Sequence, residues 1–206
     1  METSALQLFG HVFATNALKL FFLFTPFFAL SMFLCLTAER TDAERRRVAG
    51  QALGATFLIC VILLFLGKAL FTIFGVTLNA FRAGVGTILL LSGIGLVKGR
   101  PVEAKVQPDD DIAIVPMALP VIVGPATIGA VMVMGTELRT AVEKFACVLA
   151  MAAAATALWA MLSLATALER RFGRRVFEVL SKVTGLILSA LAAQLILGGV
   201  RDFMLQ

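Results

Sequence analysis

The sequence predicts an all-α integral membrane protein with six transmembrane helices. They form two inverted three-helix repeats, with broken first and fourth helices. Three observations carry this reading. Hydrophobic residues make up 60% of the 206, with a mean hydropathy of +0.96, whereas soluble domains average about 45–50% apolar. The apolar residues fall into six runs, five of them near the ~20 residues that cross a bilayer and the first longer. Finally, Pro125 follows Pro26 by 99 residues, and each proline interrupts one of those runs. The same shift aligns Thr41 with Thr140, Glu44 with Glu143, Gly86 with Gly185 and Gly99 with Gly198.

The six spans follow in order. The first, 6–36, is longer than one crossing requires, is broken at Thr25-Pro26 and carries the single charge Lys19. The second is 48–67, and Thr41-Asp42-Ala43-Glu44 before it has the form of a capping box. The third is 80–98, with Asn79 as a candidate N-cap and a glycine-rich face of Gly84, Gly86, Gly93 and Gly95 for close packing. The fourth, 112–134, contains Pro116, Pro120 and Pro125. The fifth, 145–167, is rich in alanine, and the sixth, 179–199, ends at Gly198-Gly199. One membrane domain, 1–206, is expected. Its halves are 1–99 and 100–206, joined by the polar linker 100–111 with its acidic run Asp109-Asp110-Asp111.

Charge sets the expected orientation. Twelve of the eighteen Lys and Arg residues lie after spans one, three and five, and five lie on the opposite side. The richer side reads as cytoplasmic, which puts both termini outside. Three spans per half is an odd number, so the second half enters from the opposite face, and the repeat is inverted. No Lys or Arg precedes Lys19, so the first run reads as a retained span rather than a cleaved leader.

Several function classes fall away. The net charge of +5 sits beside apolar spans, where cytoplasmic retention and anionic lipid account for it without nucleic acid. The three cysteines, Cys35, Cys60 and Cys147, are widely spaced and suggest buried apolar side chains rather than a disulfide framework or metal cluster. The lone histidine, His11, lacks a partner for catalysis or metal binding. No Walker-type nucleotide motif is present. No His/Glu, Ser/Lys or Asp/Asp set lies within a span, which argues against an enzyme. No cofactor is implied, and a proton or Na+ could couple transport.

The breaks carry the chemistry. A proline inside a helix removes one N–H and clashes with the carbonyl four residues back. Pro26 is thus expected to free the carbonyl of Phe22, and Pro125 that of Val121. Such backbone is tolerated in a bilayer only when buried in protein or lining a wet cavity. Half-helix N-termini offer N–H groups to a carboxylate, and C-termini offer carbonyls to an ammonium group or cation. Thr25 and Thr127 add hydroxyls that could satisfy freed backbone or bind a ligand. A kink serving packing alone is the competing reading. Lys19 would snorkel to the interface or face a cavity, while Ser31 and Gln194 suit interhelical hydrogen bonds.

The stretch Ile114-Val115-Pro116-Met117-Ala118-Leu119-Pro120-Val121-Ile122-Val123-Gly124-Pro125-Ala126-Thr127-Ile128 resembles the signature of the MarC family of small bacterial inner-membrane proteins. Its pattern there is close to V-P-L-A-x-P-x-x-x-G-P-G-x-I. Thr25-Pro26 with Phe33-Leu34 is similar to the family's N-P-x-G-x-x-P-x-F-L. Phe74-Gly75-Val76, Ala80-Phe81-Arg82, Gly185-Leu186-Ile187-Leu188 and Gln194-Leu195-Ile196 extend the resemblance over nearly the whole chain. Thr25, Phe28, Ser31 and Ala126 stand where that pattern has Asn, Gly, Pro and Gly, so the first break is bulkier.

The resemblance implies six spans in inverted halves and, for some members, transport of small neutral amino acids. The sequence therefore points to a secondary transporter of a small zwitterion, held at Thr25, Pro26, Gly124, Pro125, Ala126 and Thr127. The expected partners are that solute and membrane lipid, and nothing in the sequence excludes a homo-oligomer. The alternative is a non-transporting membrane scaffold or regulatory protein.

Overall fold

The computed structural model describes residues 2–99 and 113–205. The expected linker, 100–111, lies outside them. Every regular element among the described residues is a helix: α1 Glu2–Leu23, α2 Pro26–Leu36, α3 Asp42–Phe74, α4 Leu78–Lys98, a π-helix Ala113–Ile122, α5 Pro125–Glu137, α6 Ala141–Ser163, α7 Ala165–Phe172 and α8 Arg174–Met204. Among them, α3, α4, α6 and α8 are long and apolar enough to cross a bilayer. The pair α1–α2, bent by 42° at its break, makes a fifth crossing if read as one span.

The expected spans shift at their ends for local reasons. Thr77, not Asn79, caps α4: the preceding Gly75 takes a left-handed turn that ends α3, and the extended Thr77 accepts from the N–H of Ala80. Asn79 is buried inside the first turn. The fifth span stops at Ser163, and Leu164 separates it from the short charged helix α7. The fourth is two helices of different kinds, meeting at Val123-Gly124. Thr41 and Glu44 form the expected capping box at α3, and Thr140 and Glu143, 99 residues on, form a second one at α6.

Helix α1 packs on α6, and α3 packs on α5, α6 and the π-helix. The most extensive contact is between α4 and α8. It is built on backbone approach at Gly86, Gly93 and Gly185. A Cβ at Gly86 would stand 3.0 Å from the Ala192 carbonyl oxygen, and one at Gly185 would stand 2.6 Å from that of Gly93. Gly84 and Gly95 face open space, so only the two glycines one heptad apart serve the close approach. The buried core runs through Leu20, Phe24, Leu30, Phe33, Met117 and Leu158. Leu18, Ile73, Leu186 and Leu197 project outward, as side chains facing lipid do.

Candidate functional site

Both breaks end one helix and start another at a proline. Helix α1 stops at Leu23, Thr25 caps α2, and Pro26 opens it. The π-helix stops at Ile122, Gly124 caps α5, and Pro125 opens it. Proline suits the first helical position, where an N–H would have no partner in any case. Neither cap supplies a side-chain hydrogen bond, so the first N–H groups of α2 and α5 remain uncapped by side chains.

The first break does not leave its expected carbonyl free. The Phe22 carbonyl accepts from the N–H of Thr25 at 3.0 Å, so it is satisfied by a tightened last turn. In the second break, the N–H of Val123 reaches back five residues to Ala118 at 2.9 Å, which continues the wider π turn. The carbonyls that need partners belong to Leu23 and Ile122, the last residues of their helices. The Thr127 hydroxyl lies 3.1 Å from the first and 3.3 Å from the second. A single hydroxyl proton thus serves both helix ends.

Thr25 holds the opposite position. Its backbone is left-handed, with φ 47° and ψ 57°. A β-branched residue is strained there. Its hydroxyl oxygen is buried and has no hydrogen-bond partner.

A cavity of 340 Å³ lies where the breaks meet. Thr25, Gly124, Pro125, Ala126 and Thr127 line it, so five of the six expected site residues share one space. Pro26 is buried behind them and shapes the turn. Sequence reasoning missed the remaining wall: Leu23, Phe28, Leu89, Leu96 and Leu188 make it apolar, and Ser92 on α4 adds a hydroxyl. The 99-residue shift was the available signal, since it pairs Leu89 with Leu188 and Leu23 with Ile122.

Other singled-out residues lie apart from this cavity. Lys19 and Gln194 line a second cavity of 190 Å³ together with Arg82 and Glu137. Ser31 donates to the carbonyl of Phe27 in its own helix at 3.0 Å, not across an interface. Cys60 and Cys147 are buried as expected, whereas Cys35 is exposed beside another cavity. His11 is exposed, and among the described residues no group of three His, Cys, Asp or Glu could hold a metal.

Residues 10–204 match the MarC family of integral membrane proteins. The chain belongs to the MarC family. Similar members occur in archaea and bacteria. A UPF0056 membrane protein of Methanocaldococcus jannaschii is 31% identical over 91% of this chain and 95% of its own. One of Aquifex aeolicus is 29% identical over 95% of each. The UPF0056 membrane protein YhcE of Escherichia coli is 27% identical over 88% of each. No solved structure matches the chain. Both breaks of this MarC chain lie inside the matched region.

Proposed function

We propose that this chain is a secondary transporter of a small zwitterionic metabolite, a neutral amino acid, bound between the two helix breaks near the bilayer midplane. The observation that carries the reading is the single cavity lined by both breaks. Its 340 Å³ is at the small end of ligand pockets, which run from about 300 to 1,000 Å³. Among the described residues its lining contains no acidic or basic side chain. A solute with balanced charges would be met by backbone: uncapped N–H groups at the start of α5 for its carboxylate, and helix-end carbonyls for its ammonium group. The unpartnered Thr25 hydroxyl offers one more polar contact, and the leucines accept an apolar side chain.

The reading includes a sixth crossing formed by the π-helix and α5, with the two halves related by a pseudo-two-fold axis in the membrane plane. Three pairings support it. Pro26 and Pro125 each open a helix. The two capping boxes recur at the same shift. The contact of Gly86 with Ala192 becomes, when both halves are exchanged, that of Gly185 with Gly93. In this reading the protein sits in a bacterial inner membrane with both termini outside the cytoplasm, an orientation that the basic asymmetry supports. The reading assigns no reaction and no cofactor. A gradient of protons or Na+ would drive the solute.

The test is uptake into proteoliposomes, using labelled neutral amino acids and imposed proton or Na+ gradients. Saturable, gradient-dependent uptake is expected for at least one solute. Gly124→Leu, which adds bulk to the cavity wall, should abolish it while the protein stays monodisperse in detergent. Uptake of no solute by well-folded protein would overturn the transporter reading and favour a scaffold.

A further inference from the structure

Between α6 and α8 the chain forms the short helix α7, Ala165–Phe172. Its eight residues rise about 12 Å, well short of the ~30 Å of bilayer hydrocarbon. Helix α7 therefore stays on the side where α6 ends and α8 begins. One side of it is tied to the protein. The Arg45 guanidinium on α3 donates to the Thr166 hydroxyl at 2.5 Å, and to the carbonyls of Thr37 at 3.0 Å and Ala38 at 3.2 Å. Ala165 is buried. The apolar face lies open by contrast. Leu164, Leu168 and Phe172 recur at every fourth position and so share one face of the helix. Leu164 is 53% exposed and Phe172 50%.

Charge gathers beside that face. Arg170 and Arg171 end α7, Gly173 turns the chain with φ 76° and ψ 156°, and Arg174 and Arg175 open α8. Four arginines thus fall within six residues, and Lys182 follows two turns later. The acids of this stretch are Glu169 and Glu178, so it stays positive. Arg170, Arg171 and Arg175 are exposed. Among the described residues, none of the three makes an ion pair or a side-chain hydrogen bond. Local helix chemistry accounts for only half of the four. Cations suit the last turn of α7, whereas the first turn of α8 is the positive end of its helix dipole.

We propose that α7 and the start of α8 form a docking surface for anionic phospholipid. Leu164 and Phe172 enter the acyl region, and Arg170, Arg171 and Arg175 hold headgroup phosphates. Charge complementarity selects this occupant. An amphipathic helix with basic residues beside its apolar face lies in the plane of the membrane interface. The aliphatic part of each arginine spans from apolar depth to the phosphates, and its guanidinium can bind two phosphate oxygens at once. A soluble acidic protein would match the arginines but leave the two apolar side chains, set between membrane spans, without a role.

Fluorescence quenching by brominated lipid tests this. The full chain is reconstituted into vesicles of phosphatidylcholine and phosphatidylglycerol in equal parts, with bromine on the acyl chains of one or the other. Trp159→Phe removes the only tryptophan, and Leu164→Trp places a reporter on α7. Its quenching should show a local preference for phosphatidylglycerol of about fivefold or more, the effect of one arginine at an anionic surface. Leu197→Trp, 69% exposed and about 33 Å along α8 from Arg175, should show none. Arg170→Gln, Arg171→Gln and Arg175→Gln together should abolish the preference at position 164, and lysine at the same three positions should keep most of it. Arg46→Gln with Arg47→Gln, which removes two exposed cations at the start of α3, should leave it in place. Equal quenching by both lipids at position 164, or the same preference at position 197, would overturn the docking surface. Equal loss on removing Arg46 and Arg47 would also overturn it, by reducing the attraction to diffuse surface charge. Inorganic phosphate at matched ionic strength should change nothing, and loss of the preference on adding it would assign the arginines to a free anion instead.

Discussion

The Thr127 hydroxyl lies 3.1 Å from the carbonyl oxygen of Leu23, a residue 104 positions earlier, and so fastens the second helix break to the first. The same hydroxyl is 3.3 Å from the Ile122 carbonyl. Leu23 and Ile122 are equivalent under the 99-residue shift. One side chain therefore ends both broken helices at the wall of the shared cavity.

Thr127→Val keeps the shape of the side chain and removes its only donor. Two buried carbonyls lose their partner, and a buried unsatisfied group costs about 1–3 kcal/mol. Thermal unfolding in detergent should show a lower Tm for Thr127→Val. Thr127→Ser, which retains the hydroxyl, should recover most of the loss. Equal Tm values for Val and wild type would mean that the hydroxyl does not hold the breaks together.

Thr25 predicts the opposite sign. A residue with a β-carbon pays roughly 1–2 kcal/mol in the left-handed region, from which glycine and, in part, asparagine are exempt. Thr25→Asn should raise Tm. Thr25→Val keeps the strain but deletes a buried unpartnered hydroxyl, so it should leave Tm unchanged or raise it, and it should weaken solute binding, read as a higher KM for uptake. A fall in Tm for Thr25→Asn would show that the left-handed turn is not what limits this site.

The glycines of α4 and α8 divide into two classes. Gly185→Ala places a methyl group 2.6 Å from the Gly93 carbonyl oxygen, which is backbone and cannot swing aside. It should destabilise by several kcal/mol, about the scale of an overpacked core or more, and show as loss of monodisperse protein. Gly84→Ala meets nothing within 4 Å and should be neutral or stabilising by about 0.5–1 kcal/mol. Similar behaviour of the two variants would remove the close α4–α8 approach.

Orientation is tested by reporters. A fusion after Leu205 should report the outside, and an insertion near Val106 the cytoplasm. A cytoplasmic C-terminus would reverse the orientation.

What the sequence by itself determined is what local chemistry dictates. Long apolar runs have to cover their backbone with helical hydrogen bonds, so the membrane-capable helices were legible from composition and length. Thr41 with Glu44 starts α3 because the box closes within four residues. Pro26 and Pro125 start helices because the first helical position needs no N–H partner and suits proline's fixed φ. The candidate site was read from these same prolines, and the family from the resemblance of the stretch around Pro125 to the MarC signature.

The tertiary structure decided whatever depends on residues far apart in the chain. Nothing in the local sequence says that Thr127 would reach Leu23, that Thr25 would be left without a partner, or that Gly86 and Gly93, but not Gly84 and Gly95, would meet α8. Gln194 and Lys19 read alone as ordinary polar residues of membrane helices, and become parts of a cavity only when α8, α4 and α5 bring Arg82 and Glu137 beside them. The reason is physical. Helix formation is settled by hydrogen bonds within a few residues, whereas a cavity exists only where several separately formed helices fail to fill the space between them.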